Sequence, residues 1–154
     1  MKSREEGGGY QLKERKTNTD YLGFIQSVIT RMGQNSFQSK SWCITIVAAL
    51  AAILFNNSKD EQQSSPCVVG MVGILSVLLF WLLDSYYLYL ERGYRQLYKI
   101  AAGLVEGQTC APYDMEIPKE WLRGGRYVRA VFSKSVFPFY LAIIIAMVII
   151  MIHH

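Results

Sequence analysis

Histidine is all but missing from this chain of 154 residues; the two present, His153 and His154, are its last residues. An internal general base or metal ligand of the kind most used near neutral pH is therefore lacking. Cysteine is scarce too. Cys43, Cys67 and Cys110 form no CxxC and no Cys/His cluster, so neither a zinc site nor a dithiol redox motif is expected; small buried hydrophobes describe them better. There is no Gly-rich phosphate loop, no GxSxG and no HExxH, the spacings through which many nucleotide and hydrolytic sites are built. Asp114 and Glu116 are near each other but fall in an expected loop. The chain is expected not to be an enzyme and to carry no cofactor and no metal.

A second absence is more telling. Hydrophobic residues make up 51% of the chain, close to a soluble average, yet they are concentrated in residues 42–55, 67–83 and 136–152, which contain no Lys, Arg, Asp or Glu. A soluble core spreads its apolar residues more evenly. The length suits one domain, and its expected class is an all-α membrane protein.

Charge gives the orientation. Net charge is +4; residues 1–41 carry seven Lys/Arg against four acids, 56–66 carry Lys59 against Asp60 and Glu61, and 91–135 carry eight Lys/Arg against five acids. By the positive-inside rule the first and last of these are cytoplasmic and the middle one is outside. Three spans then put the C-terminus in the periplasm of an inner membrane. The first twenty positions are charged and glycine-rich, without a short apolar region ending at a cleavage site. The first span is expected to be its own insertion signal.

Taken in order, residues 1–19 read as a mobile tail. Residues 20–40 read as an amphipathic helix with Asp20 as N-cap. Tyr21, Phe24, Ile25, Val28, Ile29 and Met32 form its apolar stripe, suited either to the inner leaflet or to another cytoplasmic helix. Residues 33–41 are a polar hinge. The first span covers 41–56, with Thr45, Ala48 and Ala52 as a small-residue stripe, and 57–66 is the outer loop. The second span covers 67–90, and Gly70 and Gly73 are the expected partners of the alanine stripe. Its helical periodicity continues as a cytoplasmic helix over 91–106, closed by Gly107, with Glu91 and Arg95 as an i, i+4 ion pair. Residues 107–134 form a cytoplasmic basic region, in which Pro118 can open a short helix and 126–132 reads as strand or short helix. The third span covers 135–152.

Three groups stand out as functional candidates. Asp84 lies where the second apolar run ends. A charge there is a gate, a pore charge or a latch between subunits, or else an interfacial residue paired with Arg31, Lys40 or Arg92. Asp84, Arg31 and Arg92 form the expected gating and coupling set. Phe80, Trp81, Tyr86, Tyr87 and Tyr89 fit an interfacial aromatic belt, and Tyr94 and Tyr98 fit packing against the N-terminal helix. Lys119, Arg123, Arg126, Arg129 and Lys134, interleaved with Trp121 and Tyr127, form the candidate ligand site. They suit a nucleotide or single strand held by charge and stacking, or a collar on anionic lipid headgroups.

The blocks YLGFIQSVITRMGQNSFQSKSW and FWLLDSYYLYLERGYRQLY, followed by a final apolar span, resemble small bacterial anti-phage defence membrane proteins, and within that group the membrane effector of Hailong-type systems. The resemblance covers roughly residues 20–100 and the last span. It implies a homo-oligomeric channel-like effector, held inactive by a nucleic-acid-type signal from a partner nucleotidyltransferase, whose release depolarises the membrane. It assigns no ligand residue. A single three-span chain cannot enclose a pore, so conduction requires a closed oligomer, taken here as a tetramer. A non-conducting adaptor that recruits a soluble partner or binds anionic lipid is the rival. A small transporter is disfavoured by spans without polar residues in mid-membrane.

Overall fold

The computed structural model describes residues 3–57, 66–108, 110–111, 113–121 and 125–153. Among these residues there are four α-helices and no strand: α1 Ser3–Asn57, α2 Pro66–Ala101, α3 Gly125–Val131 and α4 Phe137–His153. The all-helical expectation holds.

α1 differs most from its sequence reading. It begins inside the segment expected as a mobile tail, passes through Asp20 instead of being capped there, and continues across the expected hinge at 33–41. Helix propagation costs far less than nucleation, and 12–16, LKERK, are good helix formers. In the hinge, Ser39 and Ser41 donate their hydroxyls to the carbonyls of Asn35 and Phe37 four residues back, so residues that otherwise favour loops are absorbed into the helix. The hinge also lacks proline. The expected outer loop survives at its ends, where α1 stops at Asn57 and α2 starts at Pro66; residues 58–65 lie outside the described residues. Proline suits the first helical position because its missing N–H would have no partner there.

α2 stops five residues short of the expected 106. Gly103, at φ 70°, takes the left-handed position. Its N–H bonds the Ile100 carbonyl at 3.0 Å, and Leu104 N–H bonds the Lys99 carbonyl at 2.9 Å, the paired bonds of a Schellman cap. Gly107 also has positive φ but lies in the following turns. Residues 118–121 form a turn closed by Trp121 N–H to the Pro118 carbonyl at 2.7 Å, in place of the expected short helix. The strand-or-helix choice after it resolves as α3.

Among the described residues two helices are long and apolar enough to cross a membrane, over Asn18–Leu54 and Cys67–Ala101, and Phe137–Ile152 is a shorter apolar helix. α2, with 36 residues, has a contour of about 54 Å at the usual rise, against about 30 Å of hydrocarbon in a bilayer. α4, with 17 residues, reaches about 25 Å.

The chain divides into two compact units, Met1–Met32 with Leu90–Arg123, and Gly33–Tyr89 with Gly124–His154. In the first, Tyr21, Ile25 and Ile29 are buried at i, i+4 and i+8 against Leu97, with Tyr94, Tyr98, Ala101, Cys110 and Met115 around them. The predicted apolar stripe is thus spent on protein contact, although Phe24 is 56% exposed and meets Tyr113 at 6.2 Å between ring centroids. Gly93 lets the segment around Ile117 and Trp121 approach α2. A Cβ on Gly93 would stand 3.0 Å from Ile117 Cδ1 and 3.1 Å from Trp121 Cδ1.

In the second unit the core consists of Cys43, Val77, Val136 and Tyr140, flanked by Val47, Phe80, Trp81 and Leu88. Large apolar side chains are uncovered on every helix of this unit: Trp42 and Ile53 on α1, Leu75 and Leu79 on α2, Val128 on α3, Ile145 and Ile149 on α4. Only 17% of the most apolar window of α1 and 28% of that of α2 are buried, where a soluble core helix would be mostly covered. The alanine stripe is corrected as well. Thr45, Ala48 and Ala52 are exposed, and the room beside Gly70 and Gly73 is taken by Met151 and Met147 of α4. Flexible methionine fills such grooves well.

Candidate functional site

Asp84 is the charged residue that the second unit buries most completely, with its side chain 0% exposed. α2 delivers it from the end of the apolar run, and Ser85 beside it is also buried. α1 supplies the partners from one turn: Lys40 Nζ stands 2.6 Å from Asp84 Oδ2, Ser36 donates its hydroxyl to Oδ1, and Lys40 donates to Ser36 Oγ at 3.1 Å. Spacing i, i+4 puts Ser36 and Lys40 on one face. Of the three cations considered for Asp84, Lys40 makes the ion pair; Arg31 and Arg92 belong to the other unit, Arg31 exposed and Arg92 half-buried with interactions of its own. The pair is short but Oδ2 lacks an aligned hydrogen bond. Removing one partner of such a buried pair costs about 3–5 kcal/mol, because a charge is left uncompensated.

α4 contributes Tyr140, fully buried in the core with Cys43, its hydroxyl close to Asp84 but without a well-aligned hydrogen bond. Its ring stacks on Trp81, 6.3 Å between centroids and 12° between planes. Trp81 is more than a belt residue. It also meets Phe132 and Phe137 and donates its indole N–H to the Val131 carbonyl at 3.1 Å, joining α2 to the α3–α4 turn. Of the other expected belt residues, Tyr86 is 48% exposed, and Tyr89 packs edge-on against Tyr127 at 5.9 Å.

Further hydroxyls on α1 and α2 return to their own helix. Thr45, Ser76 and Ser85 donate to the carbonyls of Ser41, Val72 and Trp81, four residues back. That satisfies each group without water, as hydrocarbon surroundings demand.

The basic set is dispersed. Lys119 belongs to the first unit and Arg126, Tyr127 and Arg129 to the second, while Arg123 lies outside the described residues. Arg126 and Arg129 are exposed on α3, a helix of seven residues. Tyr127 donates its hydroxyl to the Leu82 carbonyl at 3.3 Å and sets its ring against Tyr89, so it is partly used in packing. Lys119 lines a cavity of about 550 Å³ with Asp114, Glu116 and Glu120 over Leu97, Ile100 and Ile117. Three carboxylates against one ammonium make that cavity unsuited to an anionic ligand.

Elsewhere in the first unit, Glu91 pairs with Arg95 at 2.5 Å across one helical turn, as the spacing predicts, with Arg95 62% exposed. Tyr21 donates its hydroxyl to the Asp114 carbonyl and lies 3.7 Å from Cys110 Sγ. Burial first, and then Cys110 and Asp114, push this phenol well above its ordinary range. Among the described residues no cluster of His, Cys, Asp and Glu suits a metal ion.

Sequence reasoning singled out Asp84 and considered Lys40, but it missed Ser36, Cys43 and Tyr140. The signal for Ser36 and Lys40 was their four-residue spacing. Tyr140 carried one too, as the last polar side chain before a long aliphatic run. Compared with family models, with curated proteins and with solved structures, the chain matches none.

Proposed function

We propose that this chain is a homo-oligomeric, channel-like membrane effector of bacterial anti-phage defence. It is gated from its cytoplasmic part by a nucleotide or oligonucleotide signal, and it dissipates the membrane potential when released. α1, α2 and α4 are its three spans, with the N-terminus in the cytoplasm, the C-terminus in the periplasm and the distal part of α2 projecting from the inner membrane. The four-subunit assembly belongs to the same proposal. The defence role and the nucleotidyltransferase partner rest on the resemblance of the two sequence blocks to Hailong-type effectors.

One observation carries the reading: the second unit turns leucine, isoleucine and valine outward and keeps a charged pair, Lys40–Asp84, inside. A charge in such surroundings is costly and marks a functional position in membrane proteins. The test is ion flux from liposomes containing the purified oligomer. The reading expects flux in the absence of ligand and its suppression by single-stranded oligonucleotides at micromolar concentration. A well-formed oligomer that leaks neither with nor without them contradicts it.

The α3 turn supports a second reading, a non-conducting adaptor on anionic lipid. Arg126 and Arg129 are exposed beside Val128 and Phe132, themselves 54% and 63% exposed, a pairing of cation and apolar surface suited to a headgroup region. Replacing Arg123, Arg126 and Arg129 by glutamate separates the readings. Lost oligonucleotide binding, or toxicity without the partner, favours gating; lost affinity for anionic vesicles alone favours the adaptor.

A further inference from the structure

Three helices of the second unit meet at one polar point. α1 brings Ser36, Lys40 and Cys43, α2 brings Asp84 and the neighbouring Ser85, whose hydroxyl bonds the Trp81 carbonyl, and α4 brings Tyr140. Asp84 and its cation differ in freedom. Lys40 is 20% exposed in its side chain, and its four-carbon stem lets the ammonium withdraw toward water or headgroups. Asp84 has no such freedom, being wholly buried, so losing Lys40 leaves it with the Ser36 hydroxyl and favours a further donor. Tyr140 provides one. Its hydroxyl is buried in the core shared with Cys43, close to the carboxylate, and lacks a well-aligned hydrogen bond.

We propose that Lys40, Asp84 and Tyr140 form a two-position latch: Lys40 and Ser36 hold Asp84 in the closed arrangement of α1 and α2, and Tyr140 takes over the carboxylate when Lys40 leaves. Each arrangement gives the buried carboxylate a hydrogen-bond donor from a second helix, which is what a bistable element requires. The hand-over transfers a hydrogen bond and moves no covalent bond. It links α1 departure to α4, because Tyr140 is stacked on Trp81, which is itself bonded to the turn before α4. The latch deepens the membrane-effector reading, and it is tested by helix contact, separately from conduction.

Cys43 is the reporter. It is 0% exposed in the same core and one turn from Lys40. In full-length protein in lipid nanodiscs, with Cys67→Ser and Cys110→Ser, its alkylation by a membrane-permeant maleimide is followed. Lys40→Met or Asp84→Asn should raise the rate at least tenfold. The exchange Lys40→Asp with Asp84→Lys should bring it back to within threefold of the starting rate. Tyr140→Phe should raise the rate little by itself and severalfold further on top of Lys40→Met. Lys40→Arg, which retains the cation, keeps the latch testable should the exchanged pair fail to fold, and it should stay within threefold. Unchanged rates in the single variants, or a fast Lys40→Arg, overturn the latch. Equal effects of Tyr140→Phe in both backgrounds overturn the hand-over. Flux measured on the same variants in liposomes reports conduction separately: a latch that responds without any flux sinks the channel and leaves the latch standing.

Discussion

The two compact units bury opposite things. In the unit formed by Met1–Met32 and Leu90–Arg123, the centre is Tyr21, Ile25, Ile29 and Leu97, and the ion pair Glu91–Arg95 buries its carboxylate while its guanidinium stays mostly exposed. In the unit formed by Gly33–Tyr89 and Gly124–His154, the ion pair is inside and the aliphatic side chains are outside. The same two long helices supply both patterns. What changes along them is the solvent each stretch is suited to: water rewards covering apolar surface, whereas hydrocarbon is indifferent to it and penalises uncovered polar groups. The sides of a helix therefore matter less here than the position along it.

The largest effect expected from this contrast lies in the ion pairs. Lys40→Met should lower the unfolding free energy of the second unit by about 3–5 kcal/mol, because no cation then neutralises the buried Asp84, whereas Glu91→Gln should cost less because its partner is mostly exposed. Unfolding of the full chain in mixed micelles measures both, and equal losses would break the comparison. Next in size is truncation of aliphatic side chains. Leu97→Ala should cost about 2–5 kcal/mol for a buried leucine, while Leu79→Ala, at a position 60% exposed, should leave micelle stability within about 0.5 kcal/mol. Glycine gives a smaller contrast. Gly93→Leu drives a side chain into Ile117 and Trp121 and should cost about 1–3 kcal/mol, and Gly73→Ala should cost less because the flexible end of Met147 can move aside. Melting temperatures of the two variants in the same detergent decide this.

The smallest effect is on the alkaline side. The folded Tyr21 phenol titrates above its ordinary 10.0, so above about pH 10 the unfolded chain gives up this proton first. Stability contributed at neutral pH is then lost as pH rises from the unfolded value toward the folded one. Tyr21→Phe should flatten the decline of melting temperature between pH 9 and 11. A decline of unchanged slope would show that the phenol is not held by its burial.

Much of this contrast was legible in the residues. The charge-free blocks at 42–55, 67–83 and 136–152 foretold helices, and the stripe of Tyr21, Ile25 and Ile29 foretold the face that meets α2. Boundaries were less legible. The polar run at 33–41 looked like a hinge because serine and asparagine favour turns, but helix hydroxyls can bond their own backbone, and α1 has that option at Ser39 and Ser41. The end of α2 was misplaced because Gly103 and Gly107 are equivalent on paper; only the bonds to Ile100 and Lys99 distinguish them. At the candidate site Asp84 was conspicuous as a charge at the edge of an apolar run. Which cation reaches it, and that Tyr140 arrives from a segment 56 positions later in sequence, depends on helix packing, and no local pattern encodes that. The basic set read as one cluster because its members are close in sequence. The fold assigns Lys119 to one unit and Arg126 and Arg129 to the other.

The proposed function rests centrally on the second unit facing lipid and the first facing water. Nitroxide labels on Leu79→Cys and Ile149→Cys, and on Gln26→Cys and Lys99→Cys, test it most directly in nanodiscs, in protein with Cys43, Cys67 and Cys110 replaced by serine. The account predicts that labels at 79 and 149 relax strongly with oxygen and weakly with a water-soluble nickel chelate, and that labels at 26 and 99 do the reverse. Equal access of the nickel chelate to all four positions would contradict it.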